Sequence, residues 1–134
     1  MQKQIPSVNK YKLKISVDED YALVRLVGSI EGVSLASNET VKVAIRTNRR
    51  MLLIDLTKCY SLHPDALKWL EQLSAYADSV NVRLRLIASK GTKVYRLLKL
   101  MRYDRFMTIV ESIDEALSYS KHVFLKDKSR YLGK

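Results

Sequence analysis

Apolar runs of strand length, separated by segments with helical spacing, constrain this chain more than any other feature of its sequence. Met51-Leu-Leu-Ile-Asp-Leu56 is almost continuously apolar, and Val82-Arg-Leu-Arg-Leu-Ile-Ala88 and Phe106-Met-Thr-Ile-Val110 follow as further strand candidates. A continuous apolar strand needs cover on both faces, as parallel strands joined by helical crossovers have. The intervening segments supply those crossovers. Pro64 suits a first helical turn, where its missing N–H is not needed. Behind it Ala66, Leu67, Leu70, Leu73 and Ala77 share one face, with Trp69 and Tyr76 beside it. Thr92 caps a second helix with the stripe Val94, Leu97, Leu98 and Met101.

Upstream, Tyr11-Lys-Leu-Lys-Ile-Ser-Val17 alternates strictly, which marks a half-buried strand. After Asp18-Glu19-Asp20, residues Tyr21 to Val27 read as a hairpin partner ending at Gly28. Leu35 to Arg46 is a weaker helix, with Val41, Ala44 and Ile45 following the potential caps Ser37 and Asn38. Ser112-Ile-Asp-Glu115 has the form of a capping box for a last helix reaching about Tyr119. The order β-β-α-β-α-β-α-β-α predicts an α/β fold whose sheet is mixed but largely parallel, with helices packed against it.

The 134 residues suit one domain. Residues 1–10 read as an N-terminal extension, 11–120 as the domain and 121–134 as a basic tail or continuation of the last helix. One cysteine, Cys59, and two histidines exclude a disulfide framework and make a structural zinc site implausible. No apolar run approaches the ~18–20 residues that span a bilayer, and Met1-Gln-Lys-Gln-Ile-Pro6 lacks a signal-peptide core. The expectation is a soluble cytoplasmic protein. Catalytic groups are scarce: His63 and His122 are the only imidazoles, and no Ser, Cys or acid stands at triad spacing. Gly28 and Gly32 belong to no phosphate-binding pattern. Asp55 reads as the cap of a following loop, and Cys59 as a small buried hydrophobe in that loop. No enzyme, cofactor or metal is expected.

The net charge is +10, with +3 on residues 1–67 and +7 on 68–134. Arg83, Arg85, Lys90, Lys93, Arg96, Lys99, Arg102 and Arg105 face one acid, Asp104, across 83–105. Two readings stand: a solvated face, or a field that speeds capture of an acidic partner. Nucleic acid and an anionic membrane are alternative partners for such a surface, joined by the tail with its interleaved Phe124, Leu125, Tyr131 and Leu132.

In order along the chain, five segments resemble one family. They are Leu23-Val-Arg-Leu-Val-Gly28 before Ser-Ile-Glu, Leu52-Leu-Ile-Asp-Leu-Thr57, Val82 to Ile87 with Val94 to Leu100, Asp104-Arg-Phe106, and Ile113-Asp-Glu-Ala-Leu117. The chain resembles the STAS domains: anti-sigma-factor antagonists, their stressosome relatives and the cytoplasmic domains of sulfate transporters. The resemblance spans about residues 11–120 and implies a STAS-like α/β fold and a bacterial, non-enzymatic regulator that binds another protein. An anti-sigma-type kinase or other regulatory protein is the implied partner, an accessory role on a membrane transporter is an alternative, and a homodimer is permitted. Regulatory STAS domains carry a loop close to Asp-Ser-Ser-Gly-Leu, whose second Ser is phosphorylated. Here, counted from Asp55 and Leu67, that loop is His63-Pro64-Asp65-Ala66-Leu67. Asp65 occupies the phosphoacceptor position, which removes the usual switch. It reads either as a helix-start residue favoured by the macrodipole or as a fixed charge imitating phosphate. A third reading couples His63, an imidazole of near-neutral pKa by type, to Asp65 as a pH-sensitive pair, and Ser61 is the nearest hydroxyl, though out of register. The expected partner-binding residues are Tyr60, Ser61, Leu62, His63, Pro64, Asp65, Ala66 and Trp69, with Leu62, Tyr60 and Trp69 as apolar anchors.

Overall fold

A hairpin starts the fold. Strands β1 (Tyr11–Val17) and β2 (Tyr21–Ile30) pair antiparallel, with Leu13 opposite Leu26 and Ile15 opposite Val24. Alternation sends those four side chains to one face, while Lys12, Lys14 and Ser16 stay exposed on the other. The chain then runs through α1 (Leu35–Arg46), β3 (Met51–Leu62), α2 (Pro64–Ser79), β4 (Arg83–Ile87), α3 (Lys93–Leu100), a 3-10 turn at Tyr103–Arg105 and β5 (Thr108–Val110). Residues 113–118 are helical (α4). The computed structural model describes residues 11–47 and 50–118; the expected extension 1–10 and tail 121–134 lie outside them.

The sheet order is β1-β2-β3-β4-β5, antiparallel between β1 and β2 and parallel from there on. Every parallel connection steps in the same direction, so right-handed crossovers bring α1, α2 and α3 to one face. Their buried residues, among them Val41, Ile45, Leu70, Leu73, Val94 and Leu98, share one core with Val24, Leu26, Leu52, Ile54 and Leu86. On the opposite face Met51, Leu53, Ile87 and Val110 pack with Ala116, flanked by Ile113 and Leu117 of α4. The central strand is therefore covered on both sides, as its apolar run demands.

Several boundaries differ from the sequence expectation. β3 continues six residues beyond Leu56, so Cys59 lies within a strand and not in a loop. Two bulges hide this from the pattern. Arg25 pairs with Asp55 but Val27 with Lys58, and Gly28 pairs with Cys59 but Ser29 with Ser61. Each extra residue on β3 reverses which parity points inward. Leu52, Ile54 and Leu56 are thus followed in the core by Cys59 and then by Leu62. Likewise β2 does not stop at Gly28, whose φ of 106° belongs beside the second bulge.

Helix α1 is capped by Ser34, whose Oγ accepts from the Ser37 N–H at 3.1 Å, and not by Ser37 or Asn38. Asn38 instead accepts from the Trp69 indole at 2.8 Å and ties α1 to α2. Thr92 and Ser112 cap their helices as expected, with 3.2 and 3.0 Å bonds from the Tyr95 and Glu115 N–H groups. Phe106 falls in the turn before β5, which is confined to Thr108–Val110. No helix among the described residues is long and apolar enough to cross a membrane. Gly28→Ala is expected to cost about 1–3 kcal/mol, because a Cβ strains a left-handed backbone. Urea unfolding read by far-UV circular dichroism measures it; an unchanged midpoint would contradict the strain.

Candidate functional site

Asp55 prepares the site. It is only 3% exposed and stands at the last β3–β4 pair, opposite Ile87. Beyond it β3 pairs only with β2. Its Oδ2 accepts from the Arg25 Nε at 2.9 Å across the β2 register. Its Oδ1 accepts from the Thr57 N–H at 2.9 Å and the Thr57 hydroxyl at 2.7 Å. Burial alone would push this carboxyl up, but the Thr57 and Arg25 hydrogen bonds outweigh it and hold the group below the ordinary value. Asp55 is therefore a strand residue inside the sheet, not the cap of a loop.

Past Asp55 the two strands carry a polar cluster to their C-terminal ends. Ser29 and Ser61 stand in register with hydroxyl oxygens 2.8 Å apart, and the His63 Nε2 lies 3.3 Å from Ser29 Oγ. The imidazole thus pairs with Ser29 and not with Asp65. The His63 N–H donates to the Ile30 carbonyl at 2.9 Å, fastening the start of α2 to the end of β2. Pro64 opens the helix without wasting a donor. Asp65 follows in the first turn, where a negative charge meets the positive end of the helix dipole. The loop after β2 passes alongside: a Cβ placed on Gly32 would meet Asp65 Cβ at 3.6 Å, ordinary contact.

The expected partner-binding residues divide in two. Tyr60 (73% exposed), His63, Pro64 and Asp65 are open to solvent, and Ser61 is half-buried. Leu62, Ala66 and Trp69 are buried members of the main core. They hold the turn in place and present no surface, so the apolar anchor left exposed is Tyr60. It sits at the second bulge, which turns it out of the sheet. Cys59 is buried, its thiol pushed up to about 11 by desolvation, with Sγ donating to the Ser61 carbonyl. Such a thiol is inert.

The basic surface is also smaller than its sequence suggests. Arg85 is buried and donates to the Leu84 carbonyl at 3.1 Å. Arg83 is half-buried. Lys90 pairs with Glu111 at 3.4 Å and Lys99 with Asp104 at 3.1 Å. Lys93, Arg96, Arg102 and Arg105 remain exposed. Sequence reasoning did not single out Ser29 or the Arg25–Asp55 pair. A charge of each sign inside two apolar strands was their only signal, and nothing in the sequence alone set the register that joins them.

No protein-family model matches the sequence, and no curated protein matches it. Solved structures do. An anti-sigma factor antagonist from Mycobacterium paratuberculosis superposes with a TM-score of 0.67 at 19% identity, over 81% of this chain and 92% of that one. The anti-sigma factor antagonist SpoIIAA in its unphosphorylated form gives 0.60 at 14%, over 84% and 96%. A Shewanella loihica protein with a SpoIIAA-like fold gives 0.52 at 16%, over 89% and 98%. The fold is that of the anti-sigma-factor antagonists. At these identities the likeness establishes the fold alone.

Because the Asp55 carboxyl titrates below its unfolded value of about 3.9, its contribution is complete above that pH and is lost as pH falls through the lower folded value. Asp55→Asn should cost about 1–2 kcal/mol at neutral pH and flatten the loss of stability below pH of about 4. Urea midpoints across a pH series check this; parallel curves for both proteins would refute it. Trp69→Ala should cost about 3–5 kcal/mol, whereas Tyr60→Ala should stay within about 0.5 kcal/mol. Thermal unfolding of both variants separates the core residue from the surface one.

Proposed function

We propose that this chain is a non-enzymatic, STAS-like interaction module that regulates a partner protein through the turn His63-Pro64-Asp65 and the adjacent Tyr60. One observation carries the reading. These four side chains are exposed on a segment whose backbone is held by the His63–Ile30 hydrogen bond and whose neighbours Leu62, Ala66 and Trp69 are locked in the core. A rigid, exposed turn binds without a large ordering cost. The anti-sigma-factor-antagonist fold supports the same class of role.

The partner that fits is an anti-sigma-type kinase or another regulatory protein. SpoIIAA is known in unphosphorylated and phosphorylated forms. In this chain the resemblance puts Asp65 at the acceptor position, where a serine kinase has no hydroxyl to modify. The carboxylate carries a permanent negative charge, somewhat over half that of a phosphoserine. Binding is therefore set by the sequence and not by a phosphorylation cycle.

Titration calorimetry against a purified anti-sigma-type kinase tests both parts. Asp65→Ser should tighten the complex about tenfold, equivalent to about 1.4 kcal/mol, and Tyr60→Ala should weaken it about tenfold or more. Affinities unmoved by either substitution would remove the turn from the interface.

A further inference from the structure

Residues 100–106 expose three of the eight large apolar side chains found open among the described residues: Leu100 at 78%, Met101 at 49% and Phe106 at 52%. The fold does not require them there. Val94 and Leu98 already bury the inner face of α3, and Tyr103 and Met107 fill the core beside the turn. Leu100 is the plainest departure. At i, i+3 and i+7 spacing it shares the outer ridge of α3 with Lys93 and Arg96, roughly opposite Leu98. A leucine at the solvent pole of a cationic helix face breaks the amphipathic pattern without any packing return.

The surroundings are cationic. Lys93, Arg96, Arg102 and Arg105 are all exposed; of the two acids beside them, Asp104 is engaged by Lys99 at 3.1 Å and Glu71 by the Tyr103 hydroxyl. Arg102 is held at φ 63°, a left-handed conformation uncommon for a residue other than glycine, and ends the helix between Met101 and the 3-10 turn. The turn is firmly seated. The Tyr103 hydroxyl donates to the Glu71 carboxylate and lies 3.1 Å from the Leu67 carbonyl, and its ring sits 5.2 Å from that of Phe106.

We propose that this corner is a docking site for an anionic phospholipid bilayer. Exposed apolar side chains interspersed with exposed cations over residues 93–106 match a surface that is negative at its phosphates and apolar a few ångströms below them. Leu100, Met101 and Phe106 enter the acyl boundary, while the arginines stay at phosphate depth. A nucleic acid offers the phosphates but no apolar layer for two exposed aliphatic side chains. The proposal stands apart from the partner-binding turn and uses none of its exposed residues.

Flotation of the full chain with vesicles of phosphatidylcholine alone, or with 30% phosphatidylglycerol, provides the test, alongside poly(U) RNA in the same buffer. Binding is expected to the anionic vesicles only and to weaken with salt. Leu100→Ser, at an exposed position, should cut it about tenfold or more. Arg102→Glu with Arg105→Glu should cut it more than about 25-fold, at about fivefold for each cation lost. Circular dichroism of the variants guards against misfolding. Three outcomes would overturn the assignment: no vesicle binding, vesicle binding insensitive to Leu100→Ser, or RNA binding that rises and falls with the vesicle binding.

Discussion

A carboxylate buried in the apolar first half of β3 stands where the pairing with β4 ends. Stripped of water and unpaired, the charge of Asp55 would cost several kcal/mol, so β3 is buried only with its three donors in place. Those donors do more than neutralise it. Arg25, reaching across from β2, fixes the register of the two strands. Thr57, bonded by both its N–H and its hydroxyl, lies where the first bulge interrupts the register.

The bulges explain the division of labour in the segment that follows. A regular strand would have sent Lys58 and Tyr60 into the core, the same parity as Leu52, Ile54 and Leu56. One extra residue puts Cys59 there instead, and a second returns Leu62 to the interior. Tyr60 is left outside, Ser61 meets Ser29, and His63 arrives at the end of β2 with its backbone already bonded. The candidate interface is thus a by-product of how the sheet is terminated, and its rigidity comes from the buried side chains between the exposed ones.

The positive charge is redistributed by the same tertiary contacts. Arg85 is internal, while Lys90 and Lys99 are neutralised by acids that the fold brings alongside them. What persists on α3 and its following turn is a smaller group of cations with exposed apolar neighbours. Surface pairs of this kind contribute little to stability. Their effect is to confine the unpaired positive charge of this segment to those exposed residues.

Much of the architecture was legible in the sequence because hydrophobic period is a local property. The span Leu35–Arg46, the start of the helix at Pro64, the Thr92 and Ser112 caps and the largely parallel sheet all follow from spacing within a dozen residues. The continuation of β3 was not legible, since two bulges break the alternation on which strand reading depends. Nor was the fate of Leu62 and Trp69, which have the chemistry of anchors and the positions of core residues. Sequence by itself determined the order of elements, the apolar faces and the absence of a serine at residue 65. Tertiary structure alone decided the register between β2 and β3, because the Arg25–Asp55 bond joins residues far apart in the chain. That register then settled which side chains near His63 reach solvent.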